Sequence, residues 1–231
     1  MINDIKLGIK MMRYGHGLVS NIILGVFFLG IGIICMIMTM MGYACNLTGG
    51  CFAVAATLLP AQVMSSLNTS NMVLSSPVRK KMQTAVPTAI NCICAFVIYF
   101  AVDLLLLIMA YIYPDNIPRA CCILVLQIIF TVFFMIYTPI CYKYMVMAVI
   151  LGIMVYMCCF AIIFYFNAQM YFPTSDIYSF FDKGILIFLL ISVLGIPIIA
   201  AAGYLEYLLS LLFYKAPVSK YSQNVFLKNE L

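Results

Sequence analysis

Apolar residues run along this chain in blocks longer than a buried soluble helix or strand requires, and short polar clusters separate the blocks. The blocks cover Leu18 to Met40, Gly49 to Leu67, Thr88 to Ile112, Arg119 to Tyr137, Tyr144 to Phe166 and Gly184 to Leu212. Each is close to the roughly 20 residues that an α-helix needs to cross a bilayer's hydrocarbon core. None shows the two-residue alternation of a barrel strand. Hydrocarbon also leaves no water to satisfy open backbone, so each block is expected to be a helix. Pro60, Pro87, Pro139 and Pro197 fall within or beside these blocks and are expected to bend or interrupt them. The pattern predicts an all-α membrane protein, a bundle of six transmembrane helices forming one domain.

The polar segments carry the rest of the organisation. In the leader, residues 1–17, Asn3, Lys6, Lys10 and Arg13 recur at helical spacing beside Ile2, Ile5, Ile9 and Met12. That is the pattern of a helix lying in the membrane interface, and equally of a basic leader that obeys the orientation rule. No small-residue cleavage pattern follows it, so the first block is expected to stay in the mature protein. Between the second and third blocks lies the most polar stretch, Ser65-Ser66-Leu67-Asn68-Thr69-Ser70-Asn71, and the cytoplasmic loop expected over residues 68–87 carries Ser75-Ser76-Pro77-Val78-Arg79-Lys80-Lys81 after it. Ser76 is expected to cap a short helix with Pro77 at its first position. Three cations near a helix start oppose its dipole, which points to another use for them: topology, or docking of a partner. Residues 167–183 form the longest loop on the other side, with Pro173-Thr174-Ser175-Asp176 as a turn that opens a short aromatic helix through Phe181.

Charge sets the orientation. Ten cations (Lys6, Lys10, Arg13, Arg79, Lys80, Lys81, Lys143, Lys215, Lys220, Lys228) fall on one side of the predicted crossings and only Arg119 and Lys183 on the other. Loops rich in Lys and Arg stay in the cytoplasm, so both termini are expected there, in a cell-membrane protein. Charged residues make up only 8% of the 231 and hydrophobic ones 66%, which leaves no material for a water-facing domain. The net charge of +5 comes from those clusters and not from one basic face, so no nucleic-acid partner is expected.

Little catalytic chemistry is present. His16 is the only histidine and has no cysteine within a dozen residues, which argues against a Cys/His peptidase and excludes a two-histidine zinc protease. Most of the ten cysteines and the seventeen methionines lie inside apolar blocks, where they read as hydrophobic filler, so neither a metal nor a cofactor is expected. Cys45 and Cys51 flank a predicted outer loop, where a bridge is conceivable in an oxidising compartment. No Gly-Lys dipeptide occurs, so the phosphate-binding loop of an ATPase is missing. Asp103 is the one ionisable residue deep in a block and should face the bundle interior. Gln127 and Thr131 lie at similar depth and complete a candidate intramembrane polar site. Glu206 sits near the inner end of the last block, within snorkelling reach of water, where Lys143 or Lys215 is a possible counter-ion.

This order of elements resembles the small permease subunits of bacterial ABC-2 type ABC transporters. The resemblance covers nearly the whole chain and rests on the leader Lys6-Leu7-Gly8-Ile9-Lys10-Met11-Met12-Arg13-Tyr14, the six crossings, the Ser75-to-Lys81 segment and the late outer loop. It implies an exporter subunit that is not itself an enzyme. Ser76, Pro77, Arg79, Lys80 and Lys81, with Lys6, Lys10 and Arg13 of the leader, would contact a separate ABC ATPase subunit. A second permease, identical or related, would complete the pathway. Two other readings stand beside it: the six-helix substrate-capturing subunit of a vitamin or micronutrient uptake system, and a structural or regulatory membrane protein. The former would need a polar outer pocket, for which the outer loops offer little beyond Asn46, Asp115, Asn116, Arg119 and Asp176. The substrate stays open.

Overall fold

A computed structural model describes residues 2–12, 18–43, 47–56, 77–143, 145–171, 176–182 and 184–214. Among them there is no strand. The helices are α1 (Ile2–Met12), α2 (Leu18–Met40), α3 (Gly49–Ala55), α4 (Arg79–Gln83), α5 (Ala85–Ile112), α6 (Ile117–Lys143), α7 (Met145–Tyr171), α8 (Asp176–Phe181) and α9 (Ile185–Tyr214), with a 3-10 turn at Pro114–Asn116 before α6. Four stretches among the described residues are long and apolar enough to cross a bilayer: Val19–Met40, Arg79–Ile112, Pro114–Ile140 and Ile185–Tyr214. A shorter apolar segment, Met157–Met170, lies within α7. The second expected crossing begins where α3 begins, and its remainder from residue 57 lies outside the described residues.

α6 is the central element. Cys121, Ile123, Leu124, Leu126 and Phe130 have no exposed surface, and α2, α3, α5, α7, α8 and α9 all pack on it. The other long helices show a buried stripe and an exposed one. On α5, Val86, Ile90, Tyr99, Val102 and Leu106 are buried, whereas Ile93, Val97, Phe100, Leu104, Ile108 and Tyr111 are exposed at spacings of three and four. In water such a stripe would demand a partner protein, but in a bilayer it is the face turned to lipid.

Helix ends show why the chain turns where it does. α2 stops at Gly42, whose φ of +81° suits a residue without Cβ. Tyr43 N–H reaches the Met38 carbonyl at 3.1 Å and Gly42 N–H the Thr39 carbonyl at 3.2 Å, the paired closure that satisfies a helix C-terminus. Two side chains from the start of α6 complete it. Asn116 Nδ2 donates to the Met40 carbonyl at 2.9 Å and Arg119 Nη1 to the Thr39 carbonyl at 3.3 Å, placing a cation at the negative end of a helix dipole. Asn167 Oδ1 of α7 accepts from Leu47 N–H at 3.0 Å and ties down the connection to α3.

At the opposite, basic end, α4 and α5 are one rod with a break at Thr84 (φ −127°, ψ −81°). The break has a cause in sequence: Pro87 has no N–H to continue the ladder at that point, yet its ring is tolerated inside the first turn of α5. Thr84 and Thr88 hydroxyls donate to the Lys80 and Thr84 carbonyls at 2.7 and 2.9 Å and hold the joint. The expected start of this short helix needs correction. Pro77 lies in a turn, not at a first helical position, and α4 begins at Arg79 behind Val78, which makes no side-chain cap. Ser76, the expected cap, lies outside the described residues. Of the bend or interruption expected at Pro139 and Pro197, interruption does not occur, since α6 and α9 continue through them. Proline is tolerated inside membrane helices where neighbouring helices surround the freed carbonyl. Pro60 lies outside the described residues.

Candidate functional site

Polar groups line the seam where antiparallel α5 and α9 meet, including buried Thr88, Asn91, Glu206 and Ser210. On α5 the residues Thr84, Thr88, Asn91, Ala95, Tyr99 and Asp103 follow one another every three or four positions, and so share a face. On α9 the corresponding face carries Ser192, Gly195, Ile199, Ala202, Gly203, Glu206 and Ser210. A spacing that in a soluble helix would be an apolar stripe is here a stripe of small and polar residues. Such stripes let membrane helices approach closely and bond across the contact.

The seam has two polar knots. Toward the far end, Ser192 Oγ donates to Asp103 Oδ2 at 2.7 Å, and Tyr99 O–H donates to the Ser192 backbone carbonyl at 2.8 Å. The Tyr99 ring fits because residue 195 is glycine. A Cβ there would collide with the Tyr99 hydroxyl and lie 2.6 Å from its Cζ and 2.9 Å from Ile128 Cδ1. Asp103 Oδ1 is buried and has no hydrogen-bond partner. Toward the basic end, Asn91 Nδ2 faces the Glu206 carboxyl squarely, 3.1 Å from each oxygen. Glu206 has no exposed surface and Asn91 almost none. Beside them, Cys92 Sγ lies 2.9 Å from the point where a Cβ on Gly203 would stand, so the absence of that side chain lets α5 and α9 close around the pair.

Several expectations change against this geometry. The polar site expected from Asp103, Gln127 and Thr131 is not assembled. Asp103 turns to Ser192, and Thr131 Oγ1 donates to the Gln127 backbone carbonyl at 2.8 Å. The Gln127 side chain is fully buried on α6 with neither its nitrogen nor its oxygen bonded. Residues at equal depth need not face one another, and Asp103 lies on the α5 face that meets α9. Glu206 does not snorkel: it is closed inside the bundle and bonded to an amide. The side chain of Lys143, and Lys215 altogether, lie outside the described residues. Cys92 and Cys94, two residues apart along α5, point to different neighbours, Cys92 toward Gly203 and Cys94 toward the cluster of Met82, Val86 and Ile90. Cys51 is a free, half-buried thiol, and Cys45 lies outside the described residues. No group of three or more metal-ligating side chains occurs among the described residues.

The basic candidates form a second assembly. Arg79, Lys80 and Lys81 are exposed on α4, while Met82 and Gln83 turn inward. Ile5 of the leader packs on Met82, Val86 and Ile90, and Asp4 Oδ2 meets Lys81 Nζ at 3.5 Å. α1 and α4 are therefore held together, with Lys6 and Lys10 exposed nearby. Arg13 lies outside the described residues.

Comparison with protein-family models, with curated proteins and with solved structures finds no match for this chain.

Proposed function

We propose that this chain is the membrane-spanning permease subunit of an ATP-driven exporter of the ABC-2 type, with six crossings and both termini in the cytoplasm. It works as a pair with a second permease and is driven by a separate ATPase subunit. The observation that carries this reading is the basic joint. Arg79, Lys80 and Lys81 are presented on a short helix that is keyed to the leader through Asp4 and Ile5 and that passes through the single residue Thr84 into a long apolar helix. Three cations gathered where they oppose a helix dipole suit an acidic docking surface. A displacement of that surface would reach α1 and α5 together, because both are fixed to α4 by packing and not by a slack loop.

On this reading, closure of two ATPase subunits on ATP moves the joint, α5 tilts against α9 and α6, and the pathway between the two permeases opens outward. Hydrolysis takes place on the other polypeptide, and this chain contributes the lever and the wall.

Purification in mild detergent from the native membrane tests the proposal. A P-loop ATPase is expected to co-purify and to be lost from the Arg79→Gln/Lys80→Gln/Lys81→Gln variant. An Asp4→Asn variant, which breaks the contact to the leader but keeps the three cations, is expected to retain it. A stable single subunit that carries a small molecule and no ATPase would overturn the proposal in favour of a substrate-capturing subunit.

A further inference from the structure

Glu206 has no role in the lever described above, and its surroundings are unusual. The carboxyl has no exposed surface and, among the described residues, its only hydrogen-bond donor is the Asn91 amide, 3.1 Å from both oxygens. On α5 the next ionisable group is the Cys92 thiol, beside Gly203 of α9. On α9 itself, Ser210 follows one turn on and Tyr207 is adjacent. α6, on the other flank of α9, brings Tyr137 and Thr138 to comparable depth, and the Thr138 hydroxyl is directed to the Phe134 carbonyl at 2.7 Å. The α4 cations, Arg79, Lys80 and Lys81, are exposed, and none forms an ion pair with Glu206. Among the described residues, this carboxyl in an apolar bundle has one neutral amide for company and neither the cation nor the set of donors that buried charge requires.

We propose that Glu206 and Asn91 form a proton-binding site in the membrane domain, and that the proton on Glu206 locks α5 against α9. The proton's route is indicated by the flanking residues. Toward the basic end, Thr88 and Ser210, then Thr84 and Gln83, are buried polar residues on or next to the same seam. Toward the middle of the bundle, beyond the Cys92 thiol, the seam is Ala95, Ile199, Ala202 and Gly203, none of which relays a proton. The site therefore exchanges its proton with the basic end only. Release leaves a carboxylate in the contact, water follows it in, and the two helices separate at that end. The ligand is a proton, and the site is independent of whether an ATPase binds the basic joint.

The chain has only two glutamates, Glu206 and Glu230, which makes a direct test possible. The full chain bearing Glu230→Gln is prepared with carboxyl-13C glutamate in nanodiscs, and its infrared spectrum is followed across pH. A protonated-acid C=O band that moves with the isotope is expected at neutral pH. Above its midpoint the protonated fraction falls about tenfold per pH unit. Hydrogen exchange in α5 and α9 should rise together with the loss of the band, and Glu206→Gln should keep both helices protected at the same alkaline pH. The isotope readout needs no substitution at Glu206, so it stands even where Glu206→Gln fails to fold. A glutamate spectrum showing only ionised carboxylate at neutral pH overturns the site. A band that disappears with no change in exchange overturns the lock.

Discussion

Replacing Gly195 with alanine is the sharpest available probe of the α5/α9 seam, because the structure names the atoms that a single methyl would strike. The new Cβ would collide with the Tyr99 hydroxyl and stand 2.6 Å from Tyr99 Cζ and 2.9 Å from Ile128 Cδ1. Tyr99 is fully buried and Gly195 lies on a helix whose backbone is held by its own ladder, so the ring has to move. Overpacking a tight core costs about 1–3 kcal/mol. Displacing the ring also removes the 2.8 Å bond from its hydroxyl to the Ser192 carbonyl. A buried hydroxyl left without a partner costs about 1–3 kcal/mol more. Together these give a loss of about 3 kcal/mol, on the order of a hundredfold in the folded-to-unfolded ratio.

The attribution to Tyr99 is checked by a double-mutant cycle, read by reversible unfolding in mixed micelles. Tyr99→Phe alone should cost about 1 kcal/mol, the usual net worth of one hydrogen bond. In that background the closest clashing atom is gone and no hydroxyl can be orphaned, so Gly195→Ala should cost about 1 kcal/mol less than in the parent. If the two changes add to within about 0.5 kcal/mol, the methyl is being accommodated elsewhere and the packing described here is wrong.

Two further changes probe other parts of the bundle. Gln127→Met replaces a fully buried amide with no bonded atom by an apolar chain of similar length, and should raise stability by about 1–3 kcal/mol in the same assay; a loss instead would mean that the amide serves a bound polar group. Asp4→Asn should raise hydrogen exchange in α1 and leave α5 unchanged. The amino-terminal charge, and after it Lys81, hold the Asp4 carboxyl below its ordinary 3.8, so this contact is complete at neutral pH and is lost only as the pH falls through that lowered value. Protection of α1 that ignores both the substitution and acidification would show that Ile5 alone docks the leader.

The legible part of the fold was whatever hydrophobic length encodes. The first apolar block and α2 share the limits Leu18 and Met40, and α5, α7 and α9 begin within three residues of their blocks. α6 and α7 run past the expected ends, to Lys143 and Tyr171, because a helix does not stop where hydrocarbon stops; its ladder continues through residues such as Thr138. What could not be read was azimuth. Counting residues from a block's end gives depth along the membrane normal and says nothing of which helix lies alongside. Gln127 and Thr131 were therefore matched to Asp103 by depth, when the partner was Ser192, a small residue inside an apolar block. The same gap hid Asn91 from Glu206. One signal was available: Ser192, Gly195, Ala202, Gly203, Glu206 and Ser210 share one face of α9, interrupted only by Ile199, which marks that face for a close neighbour.

That face also explains how two helices with little hydrophobic reason to prefer each other find a single register. Lipid tails are as apolar as leucine, so packing and cross-helix hydrogen bonds must select the pairing. The two knots, Asn91 with Glu206 and Asp103 with Ser192, are 12 residues apart on α5 and 14 on α9. At 1.5 Å per residue these separations are about 18 and 21 Å, close enough for both to close at once across a modest crossing angle. Sliding either helix by one turn, about 5.4 Å, would strand both carboxyls and drive the Tyr99 ring against a residue larger than glycine. The polar residues of this seam therefore specify structure even where they also bind a proton. A variant that alters proton binding without alteration of register, such as Glu206→Gln, separates the two roles, because glutamine keeps one oxygen for the Asn91 amide and cannot ionise.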